Sequence, residues 1–178
     1  MGDYNGAMSG LELIIASPQQ VENEAMDITL AVMKSHYEFM DQEELDNALD
    51  WKRDSGLTGY IEAKHGIVVI AYDNEGPQGV ACIKLISEPH DTPLCVAYMG
   101  NCFSLKQGQG LGRAMTDFRV DWAKQLGANM IIAECIHDNL VGGAHLRSQG
   151  FSPTGTYRIQ PHHGKRVDVY ARAIHRDY

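Results

Sequence analysis

Apolar and polar positions along the chain follow two periods, one helical and one extended. From Leu11 to Ala16 the apolar residues run together and stop at Ser17-Pro18, the pattern of a short strand followed by a helix with Pro in its first turn. Val21, Ala25, Ile28, Val32 and Met33 then recur at helical spacing, and an acidic stretch from Asp41 to Ser55 carries Leu45, Leu49 and Trp51, so two helices are expected before Gly56. Beyond Gly56, Tyr60 to Ala63, Ile67 to Tyr72 and Gly79 to Ile86 read as strands, divided by His65-Gly66 and by Asn74-Glu75-Gly76-Pro77. That spacing predicts an antiparallel meander. After a turn at 88–93, Leu94 to about Phe103 form another strand, which runs into Gln107-Gly108-Gln109-Gly110-Leu111-Gly112.

Leu111, Met115, Phe118, Trp122 and Leu126 then keep a helical period, and Gly127 is placed to end that helix in the left-handed conformation. Met130 to Ile136 is a buried strand. Asp138 or Asn139 caps a further helix that ends at Gly150, and the tail offers a hairpin around Pro161 to Lys165. The expected architecture is a mixed α/β domain without internal repeats. Its length of 178 residues suits one domain, 11–178, with 1–10 a frayed N-terminus lacking the basic start and apolar core of a secretory signal.

Composition narrows the classes. With 44% hydrophobic and 21% charged residues, and no apolar run approaching the roughly 20 residues of a membrane span, a membrane protein is not expected and the cytoplasm is the default location. Cys82, Cys95, Cys102 and Cys135 stand singly in apolar runs, without zinc-site spacing, and read as buried free thiols. The net charge of −8 argues against nucleic acid and leans toward a cationic partner.

The glycine turn carries the chemistry. Three glycines alternating before a helix let several backbone N–H groups point at one ligand, and the helix dipole adds a positive partial charge, worth up to about 1 kcal/mol for a nearby anion. A pyrophosphate fits such a site. A nucleotide-binding P-loop would need Lys-Ser or Lys-Thr after the last glycine, whereas Gly112 is followed by Arg113-Ala114. A dinucleotide fold would need Gly-x-Gly-x-x-Gly near the start of alternating strands and helices, and neither spacing nor position agrees. The remaining alternative is a glycine turn that only reverses the chain.

Gln107 to Gly112 resembles the Gln/Arg-x-x-Gly-x-Gly signature of the GNAT superfamily of acetyl-coenzyme A-dependent N-acetyltransferases. Downstream, Asn139, Ala144, Gly150 and Phe151 resemble its second segment, in which an Asn opens a helix that ends in Gly-Phe. The likeness is specific over Leu94 to Phe151 and topological before that. It implies a central, mostly antiparallel sheet, splayed at the cofactor site and flanked by helices. It also implies acetyl-coenzyme A as co-substrate, with no metal: Cys102, Phe103 and Ser104 would hold the pantetheine arm through backbone groups. Gln107, Gly108, Gln109, Gly110, Leu111, Gly112 and Arg113 would hold the pyrophosphate, and Asn139 would bond the arm.

The implied reaction is direct attack of a primary amine, on a small molecule or a protein, with transfer of the acetyl group in a ternary complex. The chain departs from the family pattern at two positions: the usual acidic Tyr is Leu146, and the Glu that some members carry before the glycine turn is Val96. Tyr98 shares the strand parity of Val96 and is either a cleft residue or a core aromatic. Glu134 lies amid Ile132, Ala133 and Cys135, where a carboxylate needs a partner or a raised pKa, so it is either catalytic or paired with Arg or Lys. These two are the catalytic candidates. His145 should turn away from the Leu146 position and reach the surface. His162, His163 and His175 read as solvated rather than metal-binding, and the acidic residues Glu38, Asp41, Glu43, Glu44, Asp46 and Asp50 as a solvated helix face or a wall for a cationic acceptor. Because the usual acid and base are replaced, a non-catalytic acyl-coenzyme A-binding module is the alternative function. An exposed C-terminal strand edge would permit a homodimer.

Overall fold

The computed structural model describes residues 10–87 and 94–174; expectations for residues 1–9, the turn at 88–93 and His175 lie outside them. Strand β1 (Glu12–Ile15) is followed by α1 (Pro18–Gln20), which passes through a π-helical turn (Val21–Ala25) into α2 (Met26–His36). Ser17 starts this helix with a reciprocal box, its hydroxyl accepting from Gln20 N while the Gln20 side chain accepts from Ser17 N. Asp41 and Glu44 repeat the device at α3 (Gln42–Trp51), which runs on through a second π-helical turn (Lys52–Gly56). Val21, Ala25, Ile28, Val32 and Met33 are all buried, as their spacing requires.

The stretch Tyr60 to Ala63 is not a strand. Thr58–Ile61 is a short helix, α4; its N-cap Leu57 and Tyr60, three residues apart, both turn into the core at 0% and 7% exposure. Their i, i+3 burial overrides the β-propensity of Tyr and Ile. Strand formation begins at Gly66, where any Cβ would lie 2.0 Å from the Tyr60 carbonyl oxygen.

Strands β2 (Gly66–Asp73), β3 (Gly76–Leu85) and β4 (Val96–Ser104) complete a meander with β1. Helix α5 (Leu111–Gln125) crosses over to β5 (Met130–Ile136), and α6 (Leu140–Ser148) leads to the hairpin of β6 (Ser152–Ile159) and β7 (Arg166–Ala173). The seven strands lie in the order β1-β2-β3-β4-β5-β7-β6. Gly127 closes α5 at φ +80°, with Ala128 N donating to Ala123 O (3.0 Å) and Gly127 N to Lys124 O (2.9 Å).

Alternation along the strands divides the core between two faces. Val68, Ile70, Val80, Cys82 and Phe103 pack beneath α2, α3 and α4. Val69, Ile83, Ala97, Met99 and Ile131 pack with Val120 and Ala123 of α5 and with Phe151 just beyond α6. The result is a mixed seven-stranded sheet with helices on both faces.

Of the described strand pairs, β4–β5 alone is parallel, and it is short. It runs from Val96 opposite Met130 to Met99 opposite Ala133, although β4 continues to Ser104 and β5 to Ile136. Beyond that point the strands diverge into a fork. On its other edge β4 carries a bulge: Ala81 faces Cys102, Cys82 faces Gly100, and Asn101 is the extra residue, at φ +44°.

Candidate active site

The glycine turn presents backbone donors at the mouth of the fork. Gly108 and Gly110 take φ of +74° and +78°, and Gly110 is the N-cap of α5 without a side-chain cap. The first intrahelical bond is Ala114 N to Gly110 O (3.0 Å), so the N–H groups of Leu111, Gly112 and Arg113 precede the helical ladder and face outward along its axis. Lys106 anchors the start of the turn to the β2–β3 hairpin through Asp73 (2.5 Å) and Glu75 (2.6 Å), and the Ser104 hydroxyl donates to Lys106 O (2.7 Å). Arg113 is exposed and lies 3.7 Å from Asp117, leaving its charge near the helix N-terminus.

His145 is half-buried rather than fully at the surface. Its ring crosses from α6 to α5, where Nε2 lies 3.2 Å from Thr116 Oγ1, and it fills the space beside Gly112, whose Cβ would come within 3.3 Å of it. Burial, and secondarily the nearby Arg119, holds its pKa below the ordinary value. Turning away from Leu146 therefore carries His145 toward the first turn of α5, where it stays half-exposed.

Cys102, Phe103 and Ser104 occupy the arm of β4 beyond the fork, with β3 on one side and no β5 partner on the other. Cys102 is exposed, unlike Cys82, Cys95 and Cys135, because β5 has diverged where it emerges. Phe103 is buried among the core residues beneath α2. The bulge is gripped from both faces. From the α5 side, buried Arg119 donates through Nη1 to the carbonyls of Cys82 (3.1 Å) and Gly100 (3.2 Å) and through Nε to Met115 O (3.1 Å). From the other side, the Asn101 amide donates to Gly56 O (3.1 Å), and its Oδ1 accepts from Lys52 Nζ.

The structure brings the two catalytic candidates together. The Tyr98 hydroxyl donates to Glu134 Oε2 (2.9 Å), and Glu134 is the first residue of β5 past the last pair with β4. Arg158 of β6 reaches over β7 to donate to both carboxylate oxygens, at 2.8 and 2.6 Å. Burial, followed by the Glu134 charge, raises the Tyr98 pKa, so the phenol keeps its proton. Asn139 is the N-cap of α6, its Oδ1 accepting from Gly142 N (2.8 Å).

The acidic start of α3 and the β6–β7 turn enclose a cleft of ≈ 230 Å³ lined by Asp41, Glu43, Glu44, Asn47 and Pro161 to Gly164. The turn is not a freely solvated loop. His163 is 9% exposed, and His162 stacks on Trp51 with ring centres 4.3 Å apart. Lys165 ties this turn to α3 through Glu44 (2.9 Å). Burial, with His163 and Lys52 nearby, lowers the His162 pKa to about 4, so it is neutral at physiological pH. No group of three or more His, Cys, Asp or Glu positioned to hold a metal occurs among the described residues.

Sequence reasoning missed Lys52, Arg119 and Arg158. Arg119 carried a usable signal, a cation one residue after Phe118 on the apolar side of α5. Lys52 and Arg158 carried none, because their partners are 49 and 24 residues away.

With this geometry in view, comparison with known proteins assigns the chain. The family model for the acetyltransferase (GNAT) family matches residues 27–151, and the chain belongs to that family of acyltransferases. The PaiA N-acetyltransferase from Thermoplasma acidophilum, in complex with coenzyme A, shares the fold at a TM-score of 0.74 and 12% identity, over 92% of this chain and 99% of that one. A GNAT family acetyltransferase from Elizabethkingia anophelis with acetyl-CoA bound superposes at 0.63 and 10% identity, over 93% and 99%. The Salmonella typhimurium acetyltransferase that modifies the N-terminal serine of ribosomal protein L7/L12 superposes at 0.63 and 19% identity, over 94% and 96%. No curated protein sequence matches the chain. Among the described residues no helix is long and apolar enough to cross a membrane.

Proposed function

We propose that the chain transfers the acetyl group of acetyl-coenzyme A to a primary amine by direct attack in a ternary complex. The observation that carries this reading is the fork: one arm of β4 with free backbone groups, leading directly into a helix N-terminus with outward N–H donors. The residues fit the cofactor. Gln107 to Arg113 would take the pyrophosphate, Cys102 to Ser104 the pantetheine arm through their backbone, and Asn139 its distal side. The thioester supplies an activated acyl group, and the protein contributes position and backbone donors for the developing oxyanion.

Tyr98 and Glu134 act on this reading as a hydrogen-bonded pair. Arg158 fixes the carboxylate, the carboxylate orients the phenol, and both stand at the crotch of the fork. The acceptor enters by the cleft between α3 and the β6–β7 turn, whose Asp41 and Glu43 favour a cationic amine. Strand β6 is an outer strand exposed along all eight residues, which suits pairing with a second copy.

A second reading, an acyl-coenzyme A-binding module without turnover, draws on the apolar residues at the usual acid and base positions. Leu146 packs against the α5-side core and Val96 is 8% exposed, so neither offers a proton. Titration with acetyl-coenzyme A followed by thiol release with a panel of amines separates the two. Binding with release supports transfer, binding without release supports the module, and no binding overturns both.

A further inference from the structure

Lys52 sits between the bulge of β4 and Trp51, the residue that stacks on His162 of the cleft. It belongs to the π-helical turn that extends α3, and its half-buried side chain turns toward the bulge of β4. Its Nζ donates to Asn101 Oδ1, lies 4.6 Å from the centre of the Trp51 ring and 5.6 Å from that of Phe103, and has no carboxylate partner among the described residues. Trp51 in turn stacks on His162 of the cleft, and Asn101 is the second β4 residue past the last pair with β5. Lys52 thus touches the strand that would hold the thioester and connects through Trp51 and His162 to the cleft that would admit an amine.

A lysine in this position is unusual for a structural role. Two aromatic rings and the sheet strip its water, and a lone amide oxygen offers less compensation than a carboxylate. The ionisable groups that face it are Cys82 of β3 and His162 and His163 of the β6–β7 turn; both histidines lie low in pKa, partly through Lys52. Burial brings the ammonium down to about 8, with Cys82 opposing slightly. About a tenth of the amine is then neutral at pH 7 and half at pH 8, far more than an exposed lysine supplies.

We infer that Lys52 is the general base of the acetyl transfer, taking the first proton from the acceptor ammonium before it attacks. The inference rests on the acetyltransfer reading above. The acceptor R–NH3+ gives one proton to the neutral Lys52 amine and becomes R–NH2. Its nitrogen lone pair forms the C–N bond at the thioester carbonyl, the C–S bond breaks, and coenzyme A leaves as thiolate. The nitrogen sheds its second proton, the thiolate gains one to become the free thiol, and Lys52 returns its proton to solvent. The net change is R–NH3+ plus acetyl thioester to R–NH–acetyl, thiol and H+.

Two measurements test the assignment. In the first, the free protein is labelled with trace acetic anhydride across pH 6–11 and each lysine is read by peptide mass spectrometry. Lys52 should reach half-maximal reactivity near pH 8, and an ordinary exposed-lysine profile overturns the inference. In the second, Lys52→Met and Asn101→Gly are compared with the wild type by calorimetric titration of acetyl-coenzyme A and by thiol release with an active amine. Lys52→Met should bind acetyl-coenzyme A within threefold of wild type, lose at least a hundredfold in kcat/KM, and lose the rise in kcat/KM between pH 7 and 9. Asn101→Gly keeps the positive φ but removes the acceptor that favours the ammonium, so its pH limb should move to lower pH. A Lys52→Met enzyme with the wild-type profile, or an Asn101→Gly limb that does not move, overturns the role of Lys52 alone. Wild-type protein that binds acetyl-coenzyme A but releases no thiol with any amine overturns the transfer reading, and Lys52 as base with it.

Discussion

The Tyr60 hydroxyl occupies the space that a side chain at Gly100 would need: a Cβ there would lie 1.8 Å from the oxygen and 2.9 Å from Tyr60 Cζ. Helix α4 and the bulge of β4 are therefore fitted to each other. Gly100→Ala is expected to cost about 1–3 kcal/mol by overpacking, measured by urea unfolding. Adding Tyr60→Phe removes the closest atom and should recover part of that loss. Simple additivity of the two changes would show that the contact does not matter.

The glycine turn separates backbone geometry from ligand charge. Gly108→Ala meets open space at φ +74° and should lose about 1 kcal/mol of stability through its left-handed conformation, with acetyl-coenzyme A binding weakened only modestly. Gly110→Glu carries the same backbone cost and places a carboxylate at the helix N-terminus. Its affinity for acetyl-coenzyme A, by calorimetry, should fall more than tenfold further than that of Gly108→Ala.

Arg119 is 3% exposed and satisfies carbonyls on two strands, so Arg119→Met strands the oxygens of Cys82 and Gly100. A loss of about 2–4 kcal/mol in urea unfolding is expected. Loss below 1 kcal/mol would mean that the bulge is held by Asn101 and Gly56 without it.

Turnover should distinguish the paired candidates at the fork. Tyr98→Phe removes the hydroxyl that donates to Glu134 and keeps the ring, so kcat is expected to drop about tenfold with acetyl-coenzyme A affinity unchanged. Unaltered kcat would assign the pair to fold maintenance.

Acid should loosen the molecule at identifiable places. Glu44 is held below its usual pKa chiefly by Lys165, Asp73 by Lys106 and Asp168 by His137. A carboxyl whose folded pKa is depressed contributes stability above its unfolded value and loses that contribution as pH falls through the folded one. The urea midpoint should therefore decline below about pH 4.5. Glu44→Gln should flatten part of that decline, and an unchanged slope would remove Glu44 from the account.

The sequence carried the elements whose partners are local. The helix starts at Ser17-Pro18 and Asp41, the apolar stripe from Val21 to Met33 and the glycine stop of α5 are set within a few residues, and each was readable from spacing. The fork was not, because it depends on where two strands separated by α5 cease to pair. Tyr60 failed as a strand residue since its burial against Gly100 is a tertiary contact. The site divided in the same way. The glycine turn could be read as an anion site from its own residues, whereas Lys52 beside Asn101 and Arg158 on Glu134 meet only after the sheet is assembled. His145 was misplaced because a rotation from Leu146 says which way it leaves α6 and not which helix lies there.

The end of β4–β5 pairing at Met99 and Ala133 divides β4 into two thermodynamic regimes. Amides of Ala97 to Met99 lie inside a ladder with neighbours on both edges, while those of Cys102 to Ser104 have one. In hydrogen–deuterium exchange the second group should open at lower free energy than the first. A ligand that bonds this arm in the folded state alone would slow exchange there and raise unfolding stability by about 2.7 kcal/mol at a hundred times its Kd. Part of the cohesion of the sheet would then vary with cofactor supply.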